Sequence, residues 1–241
     1  MIPKIIHYIW LGNTPLPKIA EKCIASWKKY CPDYEIMRWD ESNIDLDKYK
    51  FCRDAYDAKK YAFASDVIRV DVLYNYGGIY LDIDVQLLKS IDELITNENC
   101  VLGFETAKHI GAGIFVATTP QNIDFKNILD RYKNLEFSVD KMTSITIGDI
   151  FTDYYETKGV VRADKTQRID GAVVYSSEYF SPIDVITNKM RITPNTYSIH
   201  WYNASWYSPM QRFKRFCKKV LNAISFGGFG IWLHKRREKM R

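Results

Sequence analysis

The chain has 241 residues, 46% of them hydrophobic and 26% charged, a balance that excludes a disordered tail, a collagen-like fibre and a small disulfide scaffold. At this length one α/β domain with a sizeable core is more natural than two small ones. A net charge of +5 with 15% aromatic residues would suit nucleic acid, an anionic membrane, or stacking on sugars and bases. The charge is unevenly placed, however: residues 210–241 hold ten Lys and Arg against Glu238 alone, which is +9 and leaves the rest of the chain at −4. A nucleic-acid-binding protein should line its aromatic groove with basic residues, whereas here the body is mildly acidic and the basic residues are segregated in a tail. No nucleic-acid partner is expected.

Ile5 to Trp10 reads as a buried first strand, and Ile19 to Tyr30 as a helix on the spacing Ile19, Cys23, Ile24, Trp27, Tyr30, stopped by Cys31-Pro32. Tyr34 to Trp39 is a second strand, and strand–helix–strand in this order opens an α/β domain with parallel strands. Asp57 to Tyr76 is predicted as one long helix ended by Gly77-Gly78, feeding a strand over Ile79 to Val85. Val101 to Phe104, Gly113 to Ala117 and Val173 to Tyr175 read as further strands, and Phe125 to Lys133 as a helix. No Pro/Gly/Ser-rich linker divides the body, so residues 1–207 are expected to form one domain and residues 208–241 an appendage.

In that appendage Ser208-Pro209 has the form of a helix start, followed by an apolar stripe of Met210, Phe213, Phe216, Cys217, Val220, Leu221 and Ile224 with Lys and Arg between. Such a helix suits a membrane interface carrying anionic lipid, with a helix that packs its stripe on the body and leaves a solvated basic face as the alternative. The five cysteines form no C-x-x-C pair, and the start of the chain lacks the apolar stretch of a signal peptide. The expected location is therefore cytoplasmic, peripheral at the inner face of the cell membrane.

Asp82 and Asp84, two apart in the expected strand, would share one face with Tyr80. Two carboxylates on one face of an apolar strand repel each other and call for a cation, and oxygen ligands suit Mg2+ or Mn2+; two solvated surface acids at a strand end are the plainer reading of the triplet taken alone. Upstream, Asp66 and Arg69 are placed on one helical face, with an i,i+3 surface ion pair as the plainer reading.

The stretch Ala64-Ser65-Asp66-x-x-Arg69-x-x-x-Leu73-x-x-x-Gly77-Gly78-Ile79-Tyr80-Leu81-Asp82-x-Asp84 closely resembles the D-x-D sugar-binding region of the family-32 glycosyltransferases. That group includes initiating α-mannosyltransferases and capsule enzymes, with the clostridial glucosylating toxins as distant relatives. Ile2-Pro3-Lys4-Ile5-Ile6-His7-x-Ile9-Trp10-x-Gly12 is similar to the family's first strand, and His200-Trp201-x-x-x-Ser205-Trp206 to its closing motif. The resemblance implies a GT-A-type single domain around a mostly parallel sheet, with the donor at the C-terminal strand edge. It implies Asp84, Asp82 and His200 as metal ligands, and Asp66 and Arg69 on the donor sugar. It further implies Trp10 on the donor's base, with a core tryptophan as the alternative, and Ser205 and Trp206 closing over the diphosphate.

The implied activity is retaining hexose transfer from a nucleoside-diphosphate sugar, a UDP-sugar first. The acceptor would be a polyprenyl-diphosphate-linked oligosaccharide in surface polysaccharide synthesis. No carboxylate nucleophile stands out; Glu105, in Gly103-Phe104-Glu105-Thr106 after an expected strand, is the candidate second-sphere acid. A haloacid-dehalogenase-type phosphohydrolase is the enzymatic rival, but Gln86 misses the last position of its D-x-D-x-[TV] motif, and the motif follows a long helix instead of lying on the first strand.

Overall fold

The computed structural model describes residues 1–141, 146–184, 186–203, 210, 217, 220–222, 224–225 and 228–238. Among them β1 (Ile5–Ile9), α1 (Lys18–Tyr30) and β2 (Glu35–Trp39) form the expected opening unit. There follow α2 (Lys50–Asp57), α3 (Tyr61–Tyr76), β3 (Gly78–Tyr80), β4 (Val85–Leu87), α4 (Asp92–Ile95), β5 (Cys100–Thr106), β6 (His109–Ile110) and β7 (Val116–Thr118). The chain continues through α5 (Ile123–Lys133), α6 (Ile147–Thr157), β8 (Gln167–Ile169), β9 (Ala172–Tyr175), β10 (Ser198–His200) and α7 (Gly228–Glu238).

The main sheet runs β2-β1-β3-β7-β5-β9-β8, with β6 pairing to β5. Strands β2, β1, β3, β5 and β9 point one way and β7 and β8 the other, so the sheet is mixed but largely parallel. Its strands are apolar on both faces, as a sheet covered on both sides requires. Ile6, Ile79, Val101, Ala117 and Val173 point into one core layer with Cys23 and Trp27 of α1. Tyr80, Leu102, Phe104, Val116 and Val174 point into the other with α2, α3, α5 and α6. The layered α/β class expected from the sequence is thus present.

Two expectations are corrected. The single helix over Asp57 to Tyr76 is two: α2 ends at Asp57, and Lys59 takes a left-handed φ of 57° before α3 begins. No Gly or Pro marks this break; packing of α2 against α3 requires the chain to reverse there. The strand over Ile79 to Val85 is also interrupted. Leu81 N–H still reaches the His7 carbonyl (3.1 Å) and Asp82 N–H the Gly113 carbonyl (2.9 Å), but the chain then makes a turn closed by Val85 N–H to the Asp82 carbonyl at 3.0 Å. The Trp27 indole N–H holds the Val85 carbonyl at 2.8 Å and fixes the new direction under α1. Helix α6 was not anticipated, although Thr146 and Asp149 form a full capping box at its start.

The stop at the end of α3 is built from two glycines with positive φ, Gly77 at 64° and Gly78 at 88°. A Cβ on Gly78 would sit 2.7 Å from the Ile5 carbonyl, so β3 could not close on β1 with any other residue there. The fully buried His7 ties the same corner together: its Nε2–H donates to the Gly77 carbonyl (2.9 Å) and its Nδ1 accepts from the Trp39 indole (3.0 Å).

Burial pushes the His7 pKa down to about 4, against the opposing bond to Gly77. The folded pKa lies below the unfolded one, so the stability His7 contributes is present above pH 6.5 and is lost as the pH falls from there towards 4. Denaturant titrations should show this group costing the fold about 2 kcal/mol between pH 7 and pH 5, a loss that His7→Gln, less stable at pH 7, should lack.

Candidate active site

The site lies at the C-terminal ends of the co-directional strands β1, β3 and β5, where open α/β sheets hold ligands. At its base is Arg69, projecting from α3 and only 5% exposed. Its Nη2 pairs with Asp66 Oδ1 at 3.0 Å, one helical turn back, and its Nη1 lies 3.4 Å from Asp82 Oδ1. Nη1 also donates to the Ala112 carbonyl (3.1 Å) and Nη2 to Ser65 Oγ (3.2 Å), while the guanidinium stacks 4.5 Å from the Tyr80 ring. The i,i+3 spacing therefore makes a buried ion pair, not the surface pair of the plainer reading.

Tyr80 O–H donates to Asp82 Oδ1 at 2.9 Å. Burial raises the Asp66 pKa to about 7 against the pull of Arg69, and it raises Asp82 in the same way, helped by the neighbouring charge of Asp84. Both carboxyls are therefore weakly held as anions, and a second cation beside them would be stabilised.

The other half comes from far along the chain. β10 pairs antiparallel with β4, setting His200 opposite Val85, and Trp201 N–H reaches the Asp84 carbonyl at 3.0 Å. His200 Nε2 consequently lies 3.2 Å from Asp84 Oδ1, and Asn203 N–H donates to Asp84 Oδ2 at 2.6 Å. Burial would raise the Asp84 pKa, but His200 and the Asn203 N–H outweigh it and hold the carboxylate below its ordinary range. On His200 burial acts downwards, and Asp84 with Glu105 overcome it to bring the imidazole up to about 10.

One donor atom each from Asp82, Asp84 and His200 lies within 4.8 Å of the other two. Two carboxylate oxygens and one imidazole nitrogen, from half-buried to buried side chains, suit Mn2+ or Mg2+ with coordination positions left over for a substrate oxygen. The donor set thus fits the expected cation.

Asp66, Arg69, Asp82, Asp84 and His200 are brought together as the sequence implied. Trp10 follows β1 at the same strand edge, half-buried, with its indole N–H donating to the Thr14 carbonyl at 2.6 Å. It belongs to neither core layer, so the core-tryptophan alternative is set aside. Ser205 and Trp206 lie outside the described residues. Sequence reading missed Gly113 and the Asn203 N–H. A main-chain donor leaves no trace in residue type, and Gly113 shows only as a glycine before a strand.

Residues 17–101 match the profile of the family described as glycosyltransferase sugar-binding region containing DXD motif. Inositol phosphoceramide mannosyltransferase 3 of Schizosaccharomyces pombe is 40% identical over 101 residues, 39% of this chain and 27% of that protein. Inositol phosphoceramide mannosyltransferase 1 of the same yeast is 21% identical over 215 residues, 86% of this chain and 62% of that one. The chain thus spans less than two thirds of either relative. Among solved structures, PaToxG glycosyltransferase is similar at a TM-score of 0.49 and 22% identity, over 66% of this chain and 70% of that one.

Gly113 gives the cluster a direct test. A Cβ there would lie 2.1 Å from Asp82 Oδ2 and 3.0 Å from Arg69 Nη1, while the backbone itself tolerates alanine. Gly113→Ala should push the Asp82 carboxylate aside and weaken Mn2+ binding, read by electron paramagnetic resonance, about tenfold, and lower the thermal midpoint because the same Cβ crowds the Arg69–Asp82 pair.

Proposed function

We propose that this chain, whose residues 17–101 belong to the DXD-containing sugar-binding region of glycosyltransferases, moves a hexose from a nucleoside-diphosphate sugar to an acceptor hydroxyl. The observation that carries the proposal is the meeting of the Asp82–Asp84 turn with His200, delivered by the β4–β10 pairing. A divalent cation held by Asp84, Asp82 and His200 would neutralise charge on the departing diphosphate. Arg69 and Asp66 offer a donor and an acceptor to sugar hydroxyls from a base already locked by Tyr80, Ser65 and Ala112. Trp10 would face the nucleoside base at the end of β1.

Each carboxylate of the cluster already faces a partner: Asp66 and Asp82 face Arg69, and Asp84 and Glu105 face the two nitrogens of His200. None is poised as a nucleophile. With the retention that the family resemblance implies, this favours a front-face substitution, in which the bond from C1 to the diphosphate breaks as the acceptor oxygen bonds C1 on the same side, and the acceptor proton passes to the leaving phosphate.

The names of the relatives favour a mannosyl donor over the uridine-linked sugars, and a lipid-borne acceptor. In this chain a polyprenyl-diphosphate-linked glycan of a capsule or other surface polysaccharide would fill that role. No helix among the described residues is long and apolar enough to cross a membrane. Approach to such an acceptor would instead use the tail, at the cytoplasmic face of the membrane. Much of the expected stripe, including Phe213 and Phe216, lies outside the described residues. Those that are described expose Val220, Leu221, Ile224, Ile231 and Trp232, with Arg236 5.4 Å from the Trp232 ring. Apolar groups beside a cation suit an anionic lipid surface.

A screen of nucleotide sugars should find one that is hydrolysed or transferred only with Mn2+ or Mg2+, at a rate that Asp84→Ala lowers by at least about 100-fold. Turnover indifferent to both would overturn the proposal. In flotation with phosphatidylglycerol liposomes, the Ile224→Glu/Trp232→Glu variant and deletion of residues 210–241 should both leave the protein in the soluble fraction. Unchanged flotation would refute the membrane role of the tail.

A further inference from the structure

Glu105 is aimed at the site by two features of the backbone. The β5–β6 pairing shifts register between Phe104 and Thr106: Phe104 pairs with Ile110 and Thr106 with His109, so Glu105 is the additional residue of a β-bulge. Bulges of this kind re-aim a side chain next to active sites. Space for the side chain comes from Gly111, where a Cβ would lie 2.9 Å from Glu105 Cβ.

The target is the far side of the His200 ring. Its Nε2 faces Asp84 within the cluster, whereas Nδ1 is buried without a hydrogen-bond partner and lies 3.7 Å from Glu105 Oε1, longer than a hydrogen bond. Tyr202 packs against the ring at 4.1 Å and restricts its rotation. An imidazole that gives its Nε2 lone pair to a cation must carry its proton on Nδ1. A buried N–H without an acceptor is costly.

We infer that Glu105 is the positioning residue of the metal site: it accepts the Nδ1–H of His200, fixes the imidazole tautomer and turns Nε2 towards the cation. This rests on the reading of Asp84, Asp82 and His200 as metal ligands. Glu105 touches no substrate in this role; it acts through the histidine, as carboxylates behind metal-bound imidazoles do.

The test measures Mn2+ binding without any sugar donor, together with 15N spectra of histidine-labelled protein, in which four histidines make His200 assignable. In the Mg2+-loaded protein the Nδ1–H of His200 should show the downfield shift of a hydrogen bond to a carboxylate, which Glu105→Ala should lose. Glu105→Ala should weaken Mn2+ binding by about 10–100-fold, and the isosteric Glu105→Gln by about tenfold, with the fold intact by circular dichroism. If Glu105→Ala does not fold, Glu105→Gln alone decides. Wild-type affinity in the folded variants, or an unchanged His200 Nδ1–H shift in Glu105→Ala, overturns the inference. Loss of Mn2+ binding in Asp84→Ala but not in the Glu105 variants refutes the role of Glu105 alone. Failure of the wild-type protein to bind Mn2+ refutes the metal reading and this inference with it.

Discussion

Everything at the strand edge depends on one buried guanidinium. Arg69 holds Asp66 and Asp82 on one side and the Ala112 carbonyl and Tyr80 ring on the other, so two carboxylates that burial alone would neutralise stay close to a positive charge. Removing one partner from such a cluster leaves an uncompensated buried charge, typically a loss of about 3–5 kcal/mol. The arrangement is therefore rigid as well as polar. Helix α3 cannot slide along the sheet without breaking it, because Arg69 is anchored through Ala112 to the segment that leads into β7.

The second constraint is covalently remote. Nothing local to the Asp82–Asp84 turn supplies an imidazole; the short β10 does so by adding to β4. Three main-chain or side-chain contacts converge on Asp84 from residues 200, 201 and 203, so the carboxylate is positioned by a segment that arrives only after nearly the whole body has been laid down. A site assembled in this way forms only once the sheet is complete.

This division explains what could be read in the sequence. Apolar periodicity located β1, α1, β2, α3, β5, α5 and β9, because covered faces demand it. The spacing of Asp66 and Arg69 was legible as a pair, but not its burial, which is set by α5 packing over α3 and by the Tyr80 ring and the Ala112 carbonyl. The aspartates were legible as a pair suited to a cation although the strand assigned to them was interrupted; a two-residue spacing brings carboxylates together in a turn as well as on a strand face. His200 and Trp10 could be singled out only through family resemblance, since one histidine and one tryptophan carry no periodic signal. Glu105 drew notice for following a strand, while the bulge that aims it depends on a register no sequence pattern displays.

Asn222 extends the same connectedness to the tail. This buried amide donates from Nδ2 to the Ile186 carbonyl at 2.9 Å and accepts at Oδ1 from Gly230 N–H at 2.6 Å, leaving no room for a Cβ on Gly230, which would sit 2.0 Å from the Ile186 carbonyl. Helix α7 is thereby pinned to the loop that runs on towards β10. A single methyl group at position 230 would be enough to part the two, so the contact leaves no tolerance for a side chain there.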